Sequence, residues 1–197
     1  MGLDPRTRIA FVDESLSDAM RDPNTYLLGA AVCEQRAVAA VRANIASLRL
    51  KRQVKVHWHD EDAKRRMVIA ETIARAPVRH LVVVREGRLG ERPERQRKKC
   101  LERLLYELQE LHVATVTFES RGPADNLRDR DAIDGFRARR VISSDLRIEH
   151  VPGPREAMLW VSDAVCGATV QHRKGESAYL ETLRAGTDIR LIPIRTS

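Results

Sequence analysis

Two apolar runs stand close together near the start of the chain, TRIAFVD at residues 7–13 and TYLLGAAVC at 25–33. Only the polar segment ESLSDAMRDPN separates them, and it ends in the turn-prone Asp22-Pro23-Asn24. A parallel crossover needs a dozen or more residues, usually a helix, so these two runs are expected to pair antiparallel. After them the pattern alternates. Val38, Val41, Ile45 and Leu48 predict a helix over 35–49. VKVHW at 54–58 alternates like a short strand, and a helix over 61–75 is ended by Pro77. A strand is expected at 78–84, then a long helix over 92–111 with Leu101, Leu104, Leu105, Leu108 and Leu111 inward. A strand at 113–118 closes on Glu119, and a very polar helix over 124–141 is anchored by Ile133 and Phe136. A weak strand at 145–151, a helix from Pro154 to about Gln171, a short helix at 176–185 and a strand at 188–194 complete the series. The last strand is expected at a sheet edge, because Pro193 has no amide to donate. This order predicts a single α/β layered domain over 1–197, with a mixed central sheet flanked by helices.

The rest of the sequence narrows the setting. No apolar run approaches 18 residues, so no membrane span is expected. The first residues lack a basic segment followed by an apolar one, which argues against secretion. Cys33, Cys100 and Cys166 lie far apart and are odd in number, so neither a disulfide framework nor a zinc knuckle is expected. A reducing, cytoplasmic setting follows. The net charge is +7 with a pI near 9.8, and 29 of the 35 basic residues are Arg. A surface of that sign attracts phosphates. Aromatic residues are only 4%, too few for a base-stacking platform. No oligomer signal is visible.

In open α/β sheets, sites collect where strands end. Two strands here end in a carboxylate, at Asp13-Glu14 and at Glu119. Asp163 interrupts the most apolar helical segment, MLWVSDAVCGATV, among Trp160, Val161, Ala164, Val165 and Gly167. A buried carboxylate is costly unless it is paired or hydrogen-bonded. Each alone reads as a cap or turn residue as readily as a ligand. Together, three convergent carboxylates suit one or two Mg (or Mn) ions, which want hard oxygen donors.

The segment KVHWHDED is the other concentrated signal. On a strand, His57 and His59 would share one face and could bind a transition metal, although no third ligand of the usual spacing follows. The plainer reading gives Asp60, Glu61 and Asp62 to the first helical turn, with His57 as a phosphate or acid/base group near the cleft. Arg92, Arg95, Arg97, Lys98 and Lys99 crowd the start of a helix, where cations oppose the dipole, and so form a candidate nucleic-acid track. There is no Walker loop, GxGxxG or GxSxG.

These residues carry a resemblance. Asp13-Glu14-Ser15, the run Leu27–Val32, Lys55-Val56-His57-Trp58 and the stretch Leu159–Ala168 resemble, in order and spacing, a prokaryotic family called domain of unknown function thirty-eight hundred. The resemblance spans about residues 8–172. It implies a ribonuclease-H-like fold with one catalytic acid on the first strand, one on a later strand and one on a C-terminal helix. Carried over, these are Asp13, Glu119 and Asp163, with Glu14 as an accessory ligand. Lys55 stands where many members have Glu, and Leu16 where Gly is usual.

Three readings result. The first is a magnesium-dependent nuclease acting on RNA or DNA, with His57 and Lys55 near the scissile phosphate. The second is a degenerate domain of the same fold that binds nucleic acid or a protein partner. The third is a transition-metal hydrolase built on His57 and His59.

Overall fold

Residues 4–195 are described in a computed structural model of the chain. The strands are β1 (Arg8–Leu16), β2 (Thr25–Glu34), β3 (Arg79–Glu86), β4 (Val113–Glu119), β5 (Arg147–Val151) and β6 (Ile189–Arg195). The helices are α1 (Gln35–Ser47), α2 (Ala63–Ala74), α3 (Pro93–Glu110), α4 (Pro123–Ala138), α5 (Ala157–Arg173) and α6 (Ala178–Gly186). The six strands form one sheet in the order β5-β4-β1-β2-β3-β6. As the short first connection requires, β1 and β2 pair antiparallel. The pairs β1–β4, β4–β5 and β3–β6 are parallel, and β2–β3 is antiparallel. Every strand except β2 therefore runs the same way, and their C-terminal ends share one edge. Strand β6, with Pro193, lies at the margin of the sheet as expected.

Two cores sandwich this sheet. Ile9 and Phe11 of β1 face a core shared with α1, α2, α5 and α6. Ala10 and Val12 face the opposite core, built on α3 and α4. Cover on both faces explains why β2 is buried at every position but its last. Helix α5 is buried almost all round and lies directly on the sheet. Its approach depends on Gly29 of β2, because a Cβ there would collide with Cys166 Sγ. Ser162 Oγ donates to the carbonyl of Phe11 at 2.7 Å and fixes the register of α5 on β1. All three cysteines are buried and unpaired, as core residues. No helix among the described residues is long and apolar enough to cross a membrane.

One expected strand is absent. VKVHW bends at Val54 and Lys55, pairs with no strand of the sheet and leads into a 3-10 turn, Trp58–Asp60. Its alternation is real, since Val56 and Trp58 are buried in the α5 core while Lys55 and His57 turn the other way. The burying surface is a helix rather than a neighbouring strand.

His80, the second residue of β3, is fully buried, and neither ring nitrogen has a hydrogen-bond partner. Burial alone pulls its pKa down to about 3. The unfolded chain takes up this proton below about 6.5, whereas the folded chain refuses it until about 3. Between those values each unit of acidification costs the fold about 1.4 kcal/mol through this one group. His80→Leu is expected to remove that slope. Urea unfolding at pH 7, 5 and 4 should show the wild type losing more stability than the variant, and equal losses would overturn this assignment.

Candidate functional site

Val12 and Phe118 are paired neighbours on the parallel strands β1 and β4. The next residue on each strand is Asp13 and Glu119, so the ladder itself delivers two carboxylates side by side. They lie within hydrogen-bonding reach of one another. Helix α5, registered by Ser162, brings Asp163 to the same place from above, and its charge acts on Asp13. The three carboxylates singled out in the sequence therefore converge at the C-terminal edge of the sheet.

Each has one oxygen tied to a donor. Asp13 Oδ1 accepts from the Glu14 amide at 2.8 Å. Asp163 Oδ2 accepts from the Trp58 amide at 2.8 Å. Glu119 Oε1 accepts from Lys55 Nζ at 2.7 Å. Glu119 Oε2 is buried and has no partner. His57 Nε2 lies 3.9 Å from Asp163 Oδ1, and its Nδ1 is 3.1 Å from Asp60. The segment carrying Lys55 and His57 is pinned by Trp58, which lies against α5 at Gly167, where a Cβ would strike the indole. Trp58 also meets Tyr179 edge-on at 5.2 Å, and Arg66 holds the carbonyls of Trp58 and His59.

The electrostatics follow from this crowding. Burial, then the charges of Asp163 and Glu119, push the Asp13 carboxyl well above the ordinary range. Burial also raises Asp163, against the pull of the Trp58 amide, His57 and Lys55. Burial works to lower the Lys55 ammonium, but its hydrogen bond to Glu119 and the charges of all three carboxylates outweigh this and raise it.

Among the described residues, no group of three or more His, Cys, Asp and Glu could hold a metal ion as it stands. Lys55 occupies one oxygen of Glu119. The donor set is nonetheless that of a hard-cation site. It holds two carboxylates within hydrogen-bonding reach of each other and a buried oxygen with no donor. Such an arrangement asks for a proton or a cation between the groups.

Other expected site residues fall elsewhere. Glu14 projects to the opposite face of β1, as strand alternation requires, and accepts from Tyr26 OH at 2.5 Å and from Arg97. It is not brought to the cluster. Arg97 is buried rather than part of a surface track, and it clamps Asp129 of α4 with two hydrogen bonds at 2.6 and 2.8 Å. Arg92, Arg95, Lys98 and Lys99 are exposed. The ring centroids of His57 and His59 are 6.3 Å apart, and among the described residues no third ligand is grouped with them.

Two openings adjoin the cluster's edge of the sheet. A groove of about 430 Å³ runs past Asp163, lined by Ser15, Ser17, His57, His59, Arg66 and Lys174 among others. Its outer wall, the β1–β2 loop, is tied to α5 by Arg173, whose hydrogen bond holds Asp22 down at about 2. A broader basic cleft of about 890 Å³ lies at the ends of β3 and β6, lined by Arg85, Arg88, Arg92, Arg95, Lys99 and Arg195 with Glu91.

The Asp129 network was missed in the sequence. Its signal was present, since Asp129, Ile133 and Phe136 share a helix face and all three are buried.

Neither a family model nor a curated protein matches the chain. Solved structures do. RNase HII in its PCNA complex from Archaeoglobus fulgidus is similar over 89% of this chain and 78% of its own, at 12% identity and a TM-score of 0.57. A mutant of Bst-RNase HIII is similar over 91% of this chain, at 17% identity and a TM-score of 0.51. The chain spans 54% of the length of that second protein. The fold is thus a ribonuclease-H-like mixed α/β sheet flanked by helices.

Proposed function

We propose that this chain is a divalent-metal-dependent nuclease that cleaves phosphodiester bonds in RNA or DNA, and that it belongs with the domain-of-unknown-function family its motifs resemble. The observation that carries this reading is the convergence of Asp13, Glu119 and Asp163 around a buried carboxylate oxygen that has no partner. Asp13, Glu119 and Asp163 would hold Mg or Mn, and such an ion supplies a polarised phosphate and an attacking water. Lys55 keeps Glu119 in place and sets a positive charge where a scissile phosphate would arrive. His57 stands half-exposed at the mouth of the groove, placed to hand a proton to a leaving oxygen. The exposed Arg92, Arg95, Lys98 and Lys99 supply backbone charge for the nucleic acid.

One observation favours a second reading. Lys55 already neutralises part of the cluster, as expected in a degenerate domain that binds nucleic acid without cutting it.

The test is cleavage of labelled RNA, DNA and an RNA–DNA hybrid, with Mg²⁺ or Mn²⁺ and with a chelator. Cleavage that requires the metal is the expected result. No cleavage with either metal, with salt-sensitive binding retained, would establish the second reading instead.

A further inference from the structure

Between β3 and α3 the chain makes a tight turn, Arg88-Leu89-Gly90-Glu91, closed by the Glu91 amide, which donates to the Arg88 carbonyl at 2.9 Å. Gly90 takes a φ of 77°, the left-handed region that such a turn asks of its third residue. Leu89, at the corner, is 94% exposed. A single exposed leucine ordinarily means nothing. This one stands on a stapled turn and is ringed by cations. Resting on the nucleic-acid binding that both readings above share, we infer that Leu89 is a wedge that enters between two base pairs of a double-stranded nucleic acid, while the cations around it hold the flanking phosphates.

The staple is the pair Arg85 and Glu91. Both side chains are more than nine-tenths buried. The guanidinium donates to the two carboxylate oxygens at 2.8 and 3.0 Å. Gly87 leaves room for that carboxylate, since a Cβ there would collide with it. The Gly87 amide donates to the carbonyl of Asn24 at 2.9 Å and ties the turn to the start of β2. A buried ion pair is costly to break, so the turn keeps its shape. A leucine held in this way need not be ordered at the moment of binding.

The surroundings choose the ligand. The cleft that Leu89 lines is also lined by Arg88, Arg92, Arg95, Lys99 and Arg195. Of its lining residues Glu91 alone is acidic, and it is taken up by Arg85 and Arg95. An apolar tip among cations fits a polyanion with an apolar interior, and proteins that kink duplexes part base steps with side chains such as leucine. Single strands are instead gripped by stacking on aromatic rings. Among the described residues Tyr106 is the one exposed aromatic, and it lines neither this cleft nor the groove beside Asp163. The turn follows the C-terminal end of β3, two strands from β1 in the sheet. Two strand spacings are about 10 Å. A duplex parted at Leu89 is therefore bent on the same edge of the sheet that carries Asp13.

The test uses the full chain in chelator, so that binding is read without cleavage. The probes are DNA and RNA–DNA duplexes with 2-aminopurine placed at each base step in turn. Wild type is expected to raise the fluorescence at one step by about threefold, as that step unstacks. Leu89→Ala is expected to abolish the rise and to weaken binding about tenfold, with its melting temperature unchanged because the side chain is exposed. The slope of log affinity against log salt should stay the same, since no charge is lost. Leu89→Met should keep most of the rise, because methionine also serves as a wedge. The corresponding single strand should bind wild type about tenfold more weakly than the duplex.

Equal fluorescence and affinity for wild type and Leu89→Ala would overturn the inference. So would a preference for single strands. Leu89-dependent binding to phosphatidylserine vesicles, with no rise on any duplex, would overturn it too and make the tip a membrane contact. The nuclease reading fails separately. A chain that parts a base step but cleaves nothing with Mg²⁺ or Mn²⁺ sinks that reading alone, whereas a chain that cleaves while Leu89→Ala binds as wild type does sinks only this one.

Discussion

Asp13→Asn is expected to lower metal-dependent cleavage by about a thousandfold or more and, in chelator, to make the protein more stable. The two effects share one cause. Asp13 is buried beside Asp163 and Glu119, and those neighbours push its carboxyl well above the ordinary range. A carboxyl raised by folding destabilises the fold at every pH above its folded value. That penalty disappears only when the pH falls below the ordinary carboxylate range. Asparagine has nearly the same shape and no charge. Its oxygen can still accept from the Glu14 amide, and its amide can donate to Glu119. The expected gain at neutral pH is about 2 kcal/mol, or about 4 to 8 °C in melting temperature for a chain of this size. Melting curves in chelator at pH 7.5 and pH 4 should show the gain at the first and its shrinkage at the second. A variant less stable than wild type at pH 7.5 would refute the crowded-carboxylate picture. Cleavage that survives the substitution would remove Asp13 from the chemistry.

Arg97→Met is expected to be the most destabilising change among the basic residues of α3, at about 3 to 5 kcal/mol or roughly 6 to 20 °C. Arg97 and Asp129 are both buried, and the guanidinium grips the carboxylate with two hydrogen bonds. Burial works to raise Asp129, yet the hydrogen bonds from Arg97 and His150 and the charges of Arg97 and Arg121 hold it well below the usual carboxylate range. Methionine fills the space of the arginine stem but leaves Asp129 without its principal cation. It also strips Glu14 of a partner and Tyr26 OH of a donor at 3.1 Å. A melting temperature within 2 °C of wild type would refute the network's structural role.

The exposed neighbours should respond in the opposite way. Arg92→Ala and Lys98→Ala change stability by less than about 0.5 kcal/mol. Each is expected to reduce the slope of log affinity against log salt by about one, measured on nucleic acid with the cleavage-deficient Asp13→Asn protein. Unchanged slopes would take α3 out of the binding track.

Much of this was legible in the sequence because the relevant patterns are local. An eleven-residue polar gap ending in Asp22-Pro23-Asn24 could hold only an antiparallel turn, and β1 and β2 pair that way. Asp13 and Glu119 ended apolar runs and Asp163 broke one, and the fold brings these three carboxylates together. Arg97 was open to the same reasoning. It stands three and four residues before the buried Cys100 and Leu101, on the inward stripe of α3. Its partner, Asp129, lies 32 residues further on, and no spacing along the chain names it.

By itself, then, the sequence marked the apolar stripes that are buried and the three acids that close or interrupt them, Asp13 and Glu119 on strands and Asp163 on a helix. Periodicity reports burial directly. The tertiary structure alone decided what each buried or half-buried group meets. Alternation in VKVHW records that Val56 and Trp58 are covered, and it is the same whether a strand or a helix covers them. Only the packing of α5 on β1 turned that segment into the arm that lays Lys55 on Glu119, 64 residues away. That contact sets an ammonium beside the three carboxylates. It is a long-range electrostatic pairing, and a one-dimensional pattern carries the charges without the distance between them.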